Sequence, residues 1–397
     1  MQVIERKIFP VLHRALDDQR ILVITGMRGA GKTTALKWLL EQVASINKAY
    51  LDLGRLDQRA VFEQRNVDDV VSYLASLGLT INQPLTIALD EIQAAPDTLP
   101  MVKFLYDRYQ VKFILASSAS LYLKNHFSET LADRKLTFEL APLGFGEFLD
   151  FRSIPYRRRG DWQEMQFDRQ EFNRLKDLYG EFVTFGGLPE VVMEPSPKVK
   201  QEILNTLLSI YIDLDVGFLA DFRKLDELQL LLQVLAMRMG QKVDPVNLSS
   251  IVGISRPTLN GYLDFLEKTH IISQLPAFAG PDKAVALGRK LYFSDNGFAS
   301  MLANPGEEAM FENAVFNQLR TYGVDSYYSR SNEAEVDFIL APTQSAPAAL
   351  NVEYHPVEGD QLRLQRLASK VEISQAWMIG RYPTPGFERF VWGGLIF

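Results

Sequence analysis

The sequence has no cysteine and only four histidines among its 397 residues. Without thiols there is no disulfide framework, no thiolate metal centre and no catalytic cysteine, and the composition fits a reducing compartment. His13, His126, His270 and His355 are scattered along the chain, so a histidine-built metal site is excluded as an expectation. Long apolar runs are also missing. None reaches the roughly 18 residues that a membrane span needs. Met1 to Pro10 carries Glu5, Arg6 and Lys7 rather than the apolar stretch of a secretory signal. A soluble, cytoplasmic chain with no membrane partner is expected.

Basic charge is scarce as well. The net charge is −7, which argues against a bulk polyanion binder while leaving room for a local basic face on nucleic acid. What is present is a folding-competent composition, 47% hydrophobic and 23% charged. The length exceeds one ordinary core and predicts about two to four domains.

Up to residue 152, short apolar runs alternate with amphipathic stretches, the pattern of a parallel sheet with crossover helices. Arg20 to Thr25 reads as a buried strand and Thr33 to Val43 as a helix with Leu36, Leu39, Leu40 and Val43 on one face. Further strands are predicted at Ala49 to Leu53, Leu85 to Leu89, Lys112 to Ser117 and Lys135 to Leu140, with a helix at Val67 to Leu77. A break follows at Phe151 to Trp162, where Pro155, three arginines and Gly160 interrupt the pattern. Residues 163–240 read as mostly helical, around an irregular Phe185-Gly186-Gly187-Leu188-Pro189 corner. Residues 341–349 are the one low-complexity stretch, expected to be a hairpin loop.

Between the first strand and the first helix stands Gly26-Met27-Arg28-Gly29-Ala30-Gly31-Lys32-Thr33, which satisfies the phosphate-loop spacing in the required strand–loop–helix context. Glycines let the backbone wrap an anion, so that successive amides and the helix N-terminus point at it. Lys32 is expected on the terminal phosphates and the Thr33 hydroxyl on magnesium, with Thr34 beside it. About 60 residues downstream, the apolar strand Leu85 to Leu89 ends in Asp90 and Glu91, the second element such sites need. Asp90 is expected to hold magnesium, through water or directly, and Glu91 to orient and polarise the attacking water. ATP or GTP binding with hydrolysis is therefore expected. Ser117 and Ser118 end the next strand, where a side chain can reach the γ-phosphate or its water; the bland alternative is a serine-rich loop start. Arg134 is a candidate charge-stabilising finger, in this chain or in trans, against the alternative of a solvated arginine at a strand start.

Val246 to Leu259 reads as helix, Gly253 turn, Ser255 N-cap and a second helix opening on Arg256-Pro257. Ile271 then begins a strand, as in a winged helix. If this unit binds DNA, Arg256, Thr258 and Asn260 face the groove; Asp264 and Glu267 on the same helix favour a packing or partner module instead. Near the C-terminus, Glu312 on a helix and Asp337 and Glu353 on strands form a carboxylate set able to converge on one magnesium for phosphodiester cleavage. The plain alternative is half-exposed strand carboxylates.

The motifs Gly26 to Thr33, Leu89-Asp90-Glu91-Ile92-Gln93, Ser117-Ser118, Leu140 to Leu149, Gly186-Gly187-Leu188-Pro189, Lys290 to Asp295 and Glu335 to Phe338 occur in an order that resembles prokaryotic AAA-type ATPases with a conserved C-terminal domain of unknown function. The resemblance spans nearly the whole chain. It implies an α/β fold: a P-loop NTPase parallel sheet (1–152), a helical lid (153–240), a winged helix (241–304) and a C-terminal α/β restriction-endonuclease-like domain (305–397). It also implies ATP and Mg2+ as ligands. DNA through the winged helix, or a protein, is the expected macromolecular partner, and the oligomeric state stays open. Nuclease folds of this type use an acid-x-Lys on the second strand, whereas this chain has Glu353-Tyr354-His355. The terminal site at Glu312, Asp337 and Glu353 is thus expected to be vestigial.

Overall fold

The computed structural model describes residues 3–63, 66–119, 133–157, 167–216, 225–279, 287–322, 324–331, 334–341, 346–383, 387 and 389–396. The arginine run and the low-complexity loop fall partly outside them. The chain divides into two compact units, one of residues 1–141 with 209–222 and 268–270, the other of 142–208, 223–267 and 271–397.

The first unit contains α1 (Phe9–Ala15), β1 (Ile21–Thr25), α2 (Lys32–Gln42), β2 (Lys48–Asp52), α3 (Leu56–Phe62), α4 (Val67–Ser76), β3 (Thr86–Asp90), α5 (Leu99–Tyr109), β4 (Lys112–Ser117) and β5 (Lys135–Glu139). The strands pair in the order β2-β3-β4-β1-β5 and every pairing is parallel. Strand residues alternate between two cores. Ile21 and Val23 join Ile87, Leu89, Phe113 and Leu115 on one face, under α3, α4 and α5. Leu22 and Ile24 join Ala88, Ile114 and Ala116 on the other, under α1 and α2. Each such side chain contributes about 1.5–3 kcal/mol on burial, so a one-residue register slip would exchange the two faces and is strongly disfavoured. That fixed register lines up the carboxyl ends of β1, β3 and β4, the edge where open α/β sheets bind ligands.

The second unit begins with α6 (Phe145–Phe151) and α7 (Arg169–Phe185), followed by α8 (Pro189–Met193), α9 (Pro197–Ile210, whose last residues belong to the first unit), α10 (Leu225–Met237), α11 (Pro245–Val252) and α12 (Arg256–Lys268). Then come the antiparallel pair β6 (Ile272–Pro276) and β7 (Arg289–Phe293), α13 (Asn296–Leu302) and α14 (Glu307–Leu319). A mixed sheet of β8 (Val324–Ser331), β9 (Ala334–Leu340), β10 (Ala348–Glu353), β11 (Gln375–Gly380) and β12 (Phe390–Trp392), with α15 (Glu358–Lys370) between β10 and β11, completes it. Pairing is antiparallel from β8 to β10 and parallel from β10 to β12.

By compactness the first unit runs to Ala141 and takes in 209–222 and 268–270, while most of the remaining chain packs into the second. At the start of the second unit, α6 turns Phe145 and Phe148 onto Tyr179 and Phe182 of α7. Buried Tyr179 also meets Phe311 of α14 and Trp392 of β12, so this aromatic cluster spans both ends of the unit.

The Gly186-Gly187 corner is explained by Asp295. This buried carboxylate caps α13 through the amides of Gly297 (2.8 Å) and Phe298 (3.3 Å) and accepts from the Gly187 amide at 2.7 Å. A Cβ at Gly187 would overlap the Leu143 carbonyl, and Gly186 has φ +77°, a conformation that glycine adopts freely. Burial pushes the Asp295 carboxyl up to about 6, against the three amides that favour its charge. The folded state therefore takes up this proton first, and the group's contribution to stability falls as pH rises from 3.8 through about 6. Asp295→Ala should cost on the order of 3 kcal/mol by stranding three amides. Urea unfolding should show that loss, and Asp295→Asn should remove this part of the pH slope; an unchanged midpoint for Asp295→Ala would refute the assignment.

Candidate functional site

The loop between β1 and α2 starts at Gly26, whose φ is +151° and where an added Cβ would overlap the Leu140 carbonyl; no other residue fits there. Gly31, at φ +98°, turns the chain into α2. Arg6 clamps this turn from outside, donating to Ala30 O at 3.0 Å and to Ala141 O at 2.8 Å. Lys32 is buried at the head of α2, with its ammonium donating to the loop's own carbonyls at Gly26 (2.9 Å) and Met27 (3.1 Å). It thus lies inside the loop's curve. Thr34 is exposed in the same first turn.

Opposite stands Asp90, 2% exposed at the end of β3. Its Oδ2 accepts the Thr33 hydroxyl at 2.6 Å and the Tyr50 hydroxyl at 3.0 Å, while Oδ1 accepts the Glu91 amide at 3.0 Å. Burial and the neighbouring Asp90 push the Tyr50 phenol well above its ordinary value, so it remains a donor. A hydroxyl and a carboxylate brought together by the first turn of a helix and the end of a strand are hard oxygen donors of the kind magnesium takes, and they fit it. Glu91 has φ +51°, a strained conformation for a residue with a side chain. Its carboxylate lies 3.5 Å from the Arg28 guanidinium and accepts from the Gln93 amide.

Residues 18–149 match the model of an AAA domain, and residues 176–309 match that of a domain of unknown function. Residues 18–149, with their parallel five-stranded sheet, are thus similar to an AAA-type P-loop domain. A protein of Methanocaldococcus jannaschii named only as uncharacterized is 27% identical over 338 residues, 82% of this chain and 73% of its own length. One from Haemophilus influenzae is 25% identical, over 81% of this chain and 80% of its own. Among solved structures, the Walker-type ATPase of Pyrococcus abyssi superposes with a TM-score of 0.46 at 12% identity, over 76% of this chain and 96% of that one. The ADP form of the Aeropyrum pernix ORC2 protein gives 0.39 at 13%, over 79% and 94%.

Arg134 precedes β5 at the amino end of the sheet, where its carbonyl accepts the Ile21 amide and its side chain pairs with Asp107 at 2.9 Å. Parallel pairing puts that end of the sheet away from the phosphate loop, so Arg134 does not serve this chain's own site. Ser117 and Ser118 are buried at the end of β4 and bonded to Gln93, which also donates to Glu91. Tyr50 was not singled out from sequence, and Gln93 appeared only within the Leu89 to Gln93 motif, with no role of its own. Tyr50 gave a faint signal as a tyrosine near the end of the strand that neighbours β3.

In the second unit, α11 and α12 are joined through Gly253, in the left-handed conformation, and the β6–β7 pair follows. Arg256, Thr258 and Asn260 are exposed at the front of α12, with the Thr258 hydroxyl 2.7 Å from that of Ser255. The terminal carboxylates also come together. Glu312, Asp337 and Glu353 line one cavity of about 270 Å³ with Glu308, Glu335 and Arg363. Sequence reading found no lysine for this place, yet Lys290 of β7 supplies one. Only 2% exposed, its ammonium contacts Glu335 at 2.5 Å, Asp337 at 3.3 Å and Glu312 at 3.4 Å. The signal was a lysine directly before Leu291-Tyr292-Phe293 in an apolar strand. Burial alone would lower the Lys290 pKa, but Glu312, Tyr292, Asp337 and Glu335 hold it well above the ordinary value. Burial raises Glu312 to about 7 and Glu353 to about 7. Among the described residues no set of three carboxylates or imidazoles is arranged to hold a metal ion, and no helix is long and apolar enough to cross a membrane.

Lys290→Met should destabilise the protein by about 3–5 kcal/mol at neutral pH, because it leaves buried carboxylates without their cation. The deficit should shrink as pH falls toward about 7, because Glu312 without the Lys290 cation takes up its proton at a higher pH than in the parent. Chemical denaturation at two pH values tests this, and a variant as stable as the parent would contradict it.

Proposed function

We propose that this chain is a magnesium-dependent ATPase whose nucleotide state drives rearrangement of its C-terminal unit. One observation carries the reading: the Thr33 hydroxyl and the Asp90 carboxylate meet at 2.6 Å, with Glu91 next in the chain. Loop amides from Gly29 to Thr33 and the Lys32 ammonium receive the β- and γ-phosphates once Lys32 exchanges the Gly26 and Met27 carbonyls for phosphate oxygens. Thr33 and Asp90 would hold magnesium, which would supply positive charge beside those oxygens. Glu91 orients a water for in-line attack on the γ-phosphorus and accepts its proton as the bond to the β-γ bridging oxygen breaks. Tyr50 donates to Asp90 and fixes the carboxylate's orientation. The choice of adenine rests on the AAA-domain match.

Glu91→Gln should lower steady-state phosphate release by on the order of 100-fold or more while leaving ATP binding intact. Equal, negligible release from both proteins, with ATP bound, would sink the hydrolase reading.

A second reading has its own observation, the exposed Arg256, Thr258 and Asn260 leading α12. We propose that this face contacts duplex DNA and that the carboxylate cavity, whose Glu312, Glu335 and Asp337 are paired with Lys290, is a degenerate nuclease site rather than a cutting one. Binding should be salt-dependent, and Arg256→Ala should weaken it by about 1–3 kcal/mol. Anisotropy titration at low salt, with and without ATP, checks this; no retention in either condition removes it.

A further inference from the structure

The Gln93 side chain is buried just past β3 and joins two parts of the AAA domain. Its Nε2 donates to the Glu91 carboxylate and to Ser118 Oγ at 2.9 Å. Its Oε1 accepts from Ser117 Oγ at 3.0 Å and from the Ser118 amide at 3.4 Å. The orientation of a glutamine amide must be inferred from its partners, and here two partners admit only one answer. A backbone N–H can only donate, so Oε1 must face Ser118. A carboxylate can only accept, so Nε2 must face Glu91. The hydroxyls of Ser117 and Ser118 can serve either role and agree with both.

Two further facts say what this amide does. Glu91 is held at φ +51°, a conformation costing on the order of 1–3 kcal/mol that persists only when its surroundings over-determine it. Its carboxylate has a second neighbour, Arg28 of the phosphate loop. Glu91 is thus gripped from one side by the loop and from the other by the end of β4, with Gln93 as the only described link to β4 among its hydrogen-bond partners.

We propose that Gln93 is the positioning residue of the hydrolytic site: it aims the Glu91 carboxylate and ties that aim to the end of β4 through Ser117 and Ser118. The inference rests on the hydrolysis reading and deepens it. Both amide hydrogens and the amide oxygen of Gln93 are taken up by Glu91, Ser117 and Ser118, so its effect falls on turnover and not on nucleotide affinity. Misplacing a catalytic group by about 1 Å costs on the order of 100-fold.

The test uses the full chain and two variants, Gln93→Ala and the volume-matched Gln93→Met, each made in the wild-type and Glu91→Gln backgrounds. In the wild-type background kcat should fall roughly 10- to 100-fold while the ATP dissociation constant stays within about twofold, which also reports that the domain is folded. In the Glu91→Gln background the same changes should leave the residual rate unaltered within about twofold, because the group they aim is gone. Ser117→Ala, removing one of the amide's anchors, should give a smaller loss of kcat. Wild-type turnover in both Gln93 variants overturns the proposal, as does an equal fractional loss in both backgrounds, the mark of a merely structural role. If wild type itself does not exceed Glu91→Gln, the hydrolysis reading falls and takes the proposal with it.

Discussion

The hydrogen bond between Thr33 and Asp90 is the constraint on which the nucleotide site depends. The two residues are 57 positions apart in sequence, and nothing local brings them within 2.6 Å. Sheet register does. Parallel pairing of β1 with β4 and of β4 with β3 places the end of β3 beside the first turn of α2. Two apolar faces hold that register, because a slip by one residue would send each strand's buried side chains to the wrong core. The chemistry of the site is therefore secured by hydrophobic packing several residues away from it. The same logic explains the strain at Glu91. A backbone held on both sides by packed strands can carry an unfavourable φ where a carboxylate must be aimed.

The second unit relies on buried charge instead. Asp295 ties the Gly186-Gly187 corner to the head of α13, and Lys290 ties β7 to α14 and β9 through three carboxylates. Removing one partner of such a set costs more than the set contributes over an apolar replacement, so these residues specify one arrangement more than they add to stability. Their titration makes the unit sensitive to pH, since Asp295, Glu312 and Glu353 all hold protons to higher pH than free carboxyls.

Features that depend on neighbouring residues were legible in the sequence. The glycine spacing, the apolar strand ending in Asp90 and Glu91 and the Gly253 turn each lie within one short stretch, and the strands fall within a residue or so of the positions that apolar periodicity predicts. What depends on register or packing was not legible. Tyr50 reaches Asp90 only because β2 lies beside β3. Gln93 sits in the same short stretch as Asp90 and Glu91, but its partners at Ser117 and Ser118 come from another strand. Arg134 looked available for catalysis because a linear sequence does not show which end of a strand faces the loop. The missing lysine was judged from the strand that carries Glu353, whereas Lys290 arrives from β7, more than sixty residues earlier in the chain.

The claim that Thr33 and Asp90 together hold magnesium against the nucleotide is tested most directly by the metal's effect on ATP affinity. ATP binding would be titrated with and without magnesium in wild type, Thr33→Ala and Asp90→Asn. Magnesium should tighten binding to wild type by about tenfold or more and should do little for either variant, since each lacks one of the two oxygen donors. An equal magnesium effect in all three proteins would contradict the claim.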